Sequence, residues 1–156
     1  MTILGIDPGT AIMGWGVVKK RGKGFQSVAY GCFRTLPTEE MPNRLLKLRR
    51  ELKKVIREFE PEAMSVERLF FNTNVKTAIS VGQARGVVML TAAEHKLPFF
   101  EYTALQAKLV LTGYGRAKKE AMQEAVAQRL GLPEKIKSDD AADALAMAIC
   151  HLLKTK

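Results

Sequence analysis

Four carboxylates, Asp7, Glu67, Asp140 and Asp143, sit in or at the end of otherwise apolar segments spread over a chain of 156 residues. Burying an ionised carboxylate costs on the order of several kcal/mol unless something positive neutralises it. No Lys or Arg lies in the apolar runs around Asp7 or Asp143. The natural partner is a divalent cation, and a fold that supplies one must bring four distant acids to one place. With 25 Lys and Arg against 16 Asp and Glu, the formal charge is +9. Such a surface attracts polyanions. The leading reading is a metal-dependent nuclease.

The length is read as a single domain, 1–156, with one substantial core and no need of disulfides. Cys32 and Cys150 are flanked by apolar residues and form no Cys-x-x-Cys pair with nearby histidines, so free thiols in a reducing cytoplasm are expected rather than a zinc site. His95 and His151 fall near the ends of helical patterns, where a basic side chain favours the negative pole of the helix dipole. No membrane partner is expected, because no run of about 18 apolar residues, secretory leader or lipidation motif is present.

Strands are predicted at Ile3 to Ile6, Gly14 to Lys19 and Gln26 to Arg34, separated by Asp7-Pro8-Gly9-Thr10 and by a polar turn from Lys20 to Gly24. Apolar residues at helical spacing from Leu45 to Phe59 predict an amphipathic helix from Pro42 onward, its basic residues read as solvated charge. Ala63 to Glu67 and Pro98 to Tyr102 read as further strands. Helices are predicted from Val75 to Glu94, Thr103 to Leu111, Ala117 to Leu130 and Ser138 to Leu153. The fold class is α/β: a mixed five-stranded sheet, its first three strands antiparallel, with helices on both faces. The helix over 75–94 is apolar nearly all round, so the sheet must cover one side and a second protomer the other. On that reading, Ala84→Glu should abolish dimerisation.

Each acid also has a plainer explanation. Asp7 could close an Asx-type turn, or belong to a phosphate loop like that of the actin-like ATPases, which need two such domains. Glu67 could pair with Arg68 or Arg85, and Asp140 could simply favour a helix N-terminus. Asp143 has no such account: it shares a helix face with Asp140 and continues into Ala144, Met147 and Cys150. If the four converge, they form a ring of hard oxygen donors suited to Mg²⁺ or Mn²⁺. Two ions about 4 Å apart would then activate water against a phosphodiester. No Ser-His-Asp or Cys-His arrangement and no Gly-x-x-x-x-Gly-Lys loop offers another chemistry.

Gly5-Ile6-Asp7-Pro8-Gly9-Thr10, Val66-Glu67-Arg68-Leu69-Phe70, Gly82-Gln83-Ala84-Arg85-Gly86 and Asp139-Asp140-Ala141-Ala142-Asp143-Ala144-Leu145-Ala146 together resemble, in order, the RuvC family of Holliday junction resolvases. The resemblance implies an RNase H-like fold, a homodimer through the helix at 75–94, and Mg²⁺-dependent cutting of two opposed strands at four-way junction DNA. Asp7, Glu67, Asp140 and Asp143 match the family's catalytic, metal-holding positions. Phe70 matches an aromatic suited to stacking on bases at the crossover, unless it is a core residue beside Phe71. Lys108 and Lys119 match basic positions associated with the scissile phosphate and DNA backbone; Arg116 and Lys118 add charge to the same region, and all four are also read as plain surface charge. A branch-migration helicase complex is implied by the resemblance alone. The competing readings are a YqgF-like RNase H-fold nuclease acting on RNA and a non-catalytic nucleic-acid-binding module.

Overall fold

The computed structural model describes residues 1–68 and 75–155. Its sheet has five strands in the order β3-β2-β1-β4-β5, formed by β1 (Thr2–Asp7), β2 (Ile12–Arg21), β3 (Gly24–Arg34), β4 (Ala63–Glu67) and β5 (Phe99–Tyr102). β1, β2 and β3 are antiparallel neighbours, whereas β4 and β5 join parallel to β1 and to each other. The expected α/β class and antiparallel start are therefore present. The hairpin of β2 and β3 is longer than the sequence indicates: β2 continues through Lys20 and Arg21, and Gly22, at φ 56°, makes the reversal. Cross-strand pairing extends the ladder into residues whose polarity reads as a turn.

Two helices, α1 (Met41–Phe59) and α2 (Val75–Glu94), belong to one face of the sheet. Leu48, Leu52, Val55 and Ile56 of α1 and Ala84, Val88 and Ala92 of α2 share a core with Leu4, Ile6, Met13, Val17 and Val66. The other face carries α3 (Ala104–Thr112), α4 (Lys119–Arg129) and α5 (Asp139–Lys154). Its core joins α5 to Ile3 and Val18 below and to Ala107, Leu111, Met122 and Val126 above. α4 starts two residues later than expected, because Lys118 keeps an extended backbone as its N-cap.

α5 is buried along almost its whole length, and at Gly5 and Gly14 it rests on the sheet without intervening side chains. A Cβ placed on Gly5 would lie 1.9 Å from the Ala144 carbonyl oxygen, and one on Gly14 would lie 2.0 Å from that of Asp140. Backbone meets backbone at both points, so the helix has no room to accommodate a methyl group. Gly5→Ala should lower stability near the top of the range of about 1–3 kcal/mol typical of overpacking, read as a fall in the urea midpoint.

Two expectations are corrected here. Ala84 is fully buried against α1 and the sheet, so Ala84→Glu disrupts the core and cannot report on assembly. His151 falls in the last turn of α5 as expected, but its side chain does not face solvent. It is buried, Tyr102 Oη lies 2.9 Å from its Nδ1, and desolvation holds its pKa below the ordinary value. His95 does cap its helix, with Nδ1 2.9 Å from the Thr91 carbonyl. Cys150 is a buried free thiol pushed up to about 11 by desolvation, and half-buried Cys32 lies 3.0 Å from Ser138 Oγ.

Candidate active site

Strand periodicity explains how Asp7 and Glu67 meet. β1 and β4 are adjacent and parallel with Ile6 opposite Val66, so the next residues, Asp7 and Glu67, end neighbouring strands at the same edge. Ile6 and Val66 point into the α1/α2 core. Their successors point the other way, toward α5, as do Gly5 and Ser65. Ser65 Oγ donates to the Met147 carbonyl at 2.7 Å, fixing β4 to α5 one turn beyond Asp143. The contacts of Asp140 on Gly14 and Ala144 on Gly5 fix the start of α5 to β2 and β1, and Gly14 is the register partner of Asp7.

The electrostatics follow from this convergence. Asp7 is pushed up to about 9, first by desolvation and then by Glu67 and Asp143, with a further hydrogen bond to Glu67 and the field of Asp140. Asp143 is pushed up to about 6 by desolvation and by Glu67, against an opposing contribution from Lys119. Four acids from β1, β4 and α5 therefore repel one another in one partly desolvated place. The arginines beside Glu67 do not relieve them. Arg85 is paired with Glu101 of β5, Arg68 lies 3.5 Å from the same carboxylate, and Arg85 Nη1 donates to the Glu67 backbone carbonyl at 2.5 Å. The ion-pair explanation of Glu67 is thereby replaced. Among the described residues the Asp7 turn is held by Thr10 and Thr35 and not by an Asx bond: Thr35 Oγ1 donates to the Thr10 carbonyl at 2.6 Å, and Thr10 Oγ1 to the Ser80 carbonyl of α2 at 2.8 Å.

A cleft of about 270 Å³ opens beside these acids, lined by Glu67, Asp143, Lys108, Lys119, Ala104 and Met147 among others. Lys108 and Lys119 thus come to the acids. Arg116 and Lys118 do not; they line a neighbouring depression with Tyr114 and Glu120. Phe70 lies outside the described residues. Asp139 is a partner that the sequence reading missed: it pairs with Lys119 and accepts from Gln123 Nε2 at 2.5 Å. This pairing holds the Asp139 carboxyl below its ordinary value and the Lys119 ammonium above its own. Glu101, which takes both arginines, was also missed. The signal was its place on a strand beside β4, where Val66 and Glu101 are in register.

The donor set fits a hard divalent cation: four carboxylates converge without a His or Cys among them, and they remain mutually repelling until positive charge is added. Among the described residues, no three His, Cys, Asp or Glu side chains stand as a ready-made metal cage.

A mixed sheet in this order, carrying acids at the ends of β1 and β4 beneath a helix that supplies two more, defines an α/β protein of the RNase H-like class. The family described as crossover junction endodeoxyribonuclease RuvC matches residues 3–151. The chain belongs to the RuvC family. A Desulfitobacterium hafniense crossover junction endodeoxyribonuclease RuvC is 56% identical over 151 residues, covering 97% of this chain and 92% of the relative. Thermus thermophilus RuvC in complex with Holliday junction substrate superposes with a TM-score of 0.94 at 35% identity, over 98% of this chain and 93% of that one. The yeast mitochondrial Holliday junction resolvase Ydc2, at 14% identity and a TM-score of 0.70 over 97% of this chain and 77% of that one, shares the fold.

Proposed function

We propose that this chain is a structure-selective endodeoxyribonuclease that resolves Holliday junctions by paired, symmetric, Mg²⁺-dependent hydrolysis in two opposed strands, serving homologous recombination and DNA repair. Its full-length kinship with crossover junction endodeoxyribonucleases supports the reading. The observation that carries it is the meeting of Asp7, Glu67, Asp140 and Asp143 beside a cleft flanked by lysines. These four side chains hold the metal, up to two Mg²⁺ ions with Mn²⁺ as a substitute, and when bound the cation supplies the Lewis acidity that activates water and stabilises the leaving oxygen.

The remaining work falls to the chain's other groups. Lys108 and Lys119 offset the charge of the phosphodiester drawn into the cleft, with Asp139 and Gln123 holding Lys119 at its mouth. Arg116 and Lys118 contact the DNA backbone from the neighbouring depression, which positions the substrate without reading its sequence. Phe70 stacks on bases at the opened crossover. Residues 1–156 act as a single RNase H-like nuclease domain, assembled as a homodimer through the outer face of α2 so that two acid clusters meet two equivalent strands. The protein works in the cytoplasm on DNA, beside a branch-migration helicase. Among the described residues no helix is long and apolar enough to cross a membrane.

The test is a synthetic four-way junction incubated with the protein and Mg²⁺. Symmetric nicks in opposed strands, absent from linear duplex and from chelator-treated samples, are expected. Incision of RNA in preference to the junction, or binding without incision, would replace this function with one of the competing readings.

A further inference from the structure

Helix α1 concentrates charge that the acid cleft does not use. Its 19 residues include seven Lys or Arg and only two Glu, more than half of the chain's net charge of +9. Leu48, Leu52, Val55 and Ile56 are buried, which fixes the opposite face toward solvent. On that face Lys47, Arg50, Lys54 and Arg57 are exposed and lie three, four and three residues apart, a single stripe about 15 Å long. Like charges at these spacings repel one another, and only Arg57, in the last turn, gains from the helix dipole, so the stripe as a whole does little to stabilise the helix that carries it. Lys54 lies 3.0 Å from Glu51. Lys47, Arg50 and Arg57 carry no ion pair among the described residues.

The first turn of α1, which precedes the stripe, lies beside the turn that follows Asp7. Arg44 Nε donates to Thr35 Oγ1 at 2.8 Å, and Thr35 in turn donates to the Thr10 carbonyl in the turn after Asp7. From there α1 runs back along the sheet on the face opposite α5, away from Lys108 and Lys119. A duplex leaving the acid cluster on this side would meet a row of exposed cations, of which Lys47, Arg50 and Arg57 carry no ion pair among the described residues.

We propose that the Lys47–Arg50–Lys54–Arg57 face of α1 is a second phosphate-binding surface that holds the backbone of a duplex arm away from the point of incision. Duplex DNA is the occupant because the face offers regularly spaced cations and little apolar area, the chemistry of backbone contact without base readout. The inference rests on the junction-cutting function, and its test separates the two. Affinity is measured without Mg²⁺ for junctions with short arms and with long arms across a salt series, comparing the parent with a variant in which Lys47, Arg50, Lys54 and Arg57 are all replaced by Gln. Cleavage of the short-armed junction is followed with Mg²⁺.

The parent should bind long arms more tightly than short ones. The variant should lose about 10-fold or more on long arms, with a log–log salt slope shallower by about 2–4, while short-arm binding and cleavage stay unchanged. Equal binding of long arms by both proteins would overturn the surface, as would an equal loss on short and long arms, which marks a general field and no contact. A variant that loses affinity for anionic phospholipid vesicles and keeps its long-arm affinity overturns it too. A parent that neither binds nor cuts the short-armed junction counts against the function itself; one that cuts it but gains nothing from longer arms counts against α1 alone. If urea unfolding shows that the fourfold variant is not folded, Arg50→Gln/Arg57→Gln, which removes no ion pair, gives the same comparison with half the change in slope.

Discussion

Asp7→Asn should bind a four-way junction as tightly as the parent and cut it on the order of 10³-fold more slowly. The carboxylate removed is the one most strongly affected by its neighbours, raised from 3.8 to about 9 by burial and by Glu67, Asp143 and Asp140. Its second signature lies in stability. The folded value is above the unfolded one, so between these limits the folded protein keeps a proton that the unfolded chain has released. The contribution of Asp7 to the stability of the metal-free parent therefore falls as pH rises from 3.8 to about 9. Asparagine has no charge to lose, and the variant should melt higher than the parent at pH 8, with a flatter dependence on pH. Adding Mg²⁺ should raise the melting temperature of the parent, since a ligand that binds only the folded state stabilises it by mass action, and should raise that of the variant much less. Equal cleavage by the two proteins removes Asp7 from the mechanism. A parent whose melting temperature ignores both pH and Mg²⁺ removes the repelling cluster.

Replacing Ile79 and Leu90 of α2 by Glu should produce a folded monomer that no longer makes paired cuts. Val75, Ile79, Met89 and Leu90 are 72%, 59%, 47% and 57% exposed, and nothing lies within 4 Å of where a Cβ would sit on Gly82 or Gly86. These residues recur every three or four positions and make one apolar stripe on the side of α2 facing away from Ala84, Val88 and Ala92. A second copy bound across a two-fold axis would cover the stripe and set two acid clusters against two strands. Sedimentation should show the parent as a dimer and the variant as a monomer with unchanged urea midpoint. On a supercoiled plasmid extruding a cruciform, the parent should release linear product, while the variant should accumulate nicked circles. Linear product from a demonstrated monomer would show that the pair of cuts needs no partner.

The elements were readable because each announces its own period: the apolar run ending at Asp7, the alternation through β3, and the 3.6-residue repeat of α1 all reflect local geometry. The acids were legible for a different reason, since each interrupts an apolar pattern at a cost that demands compensation. What the sequence could not show was who compensates whom. Arg68 and Arg85 adjoin Glu67 in the chain and in the motif set, yet strand register gives them to Glu101. Lys119 looks like a free surface charge until α4 and α5 bring Asp139 to it. The apolar circumference of α2 was evident, but not which side faces the sheet, and so Ala84 was placed on the wrong side. Such choices depend on register and docking between distant elements, which no short window of sequence contains.

The bare contacts of α5 on β1 and β2 have a one-sided consequence. Where Gly5 and Gly14 touch the helix backbone, the parts are already at their minimum thickness, because no residue is smaller than glycine. Mutation at either position can only move Asp140 and Asp143 outward from Asp7 and Glu67. The chain has thus set the narrowest gap its backbone permits as the resting width of its acidic jaw, and every variant at those two contacts should hold a cation more loosely than the parent does.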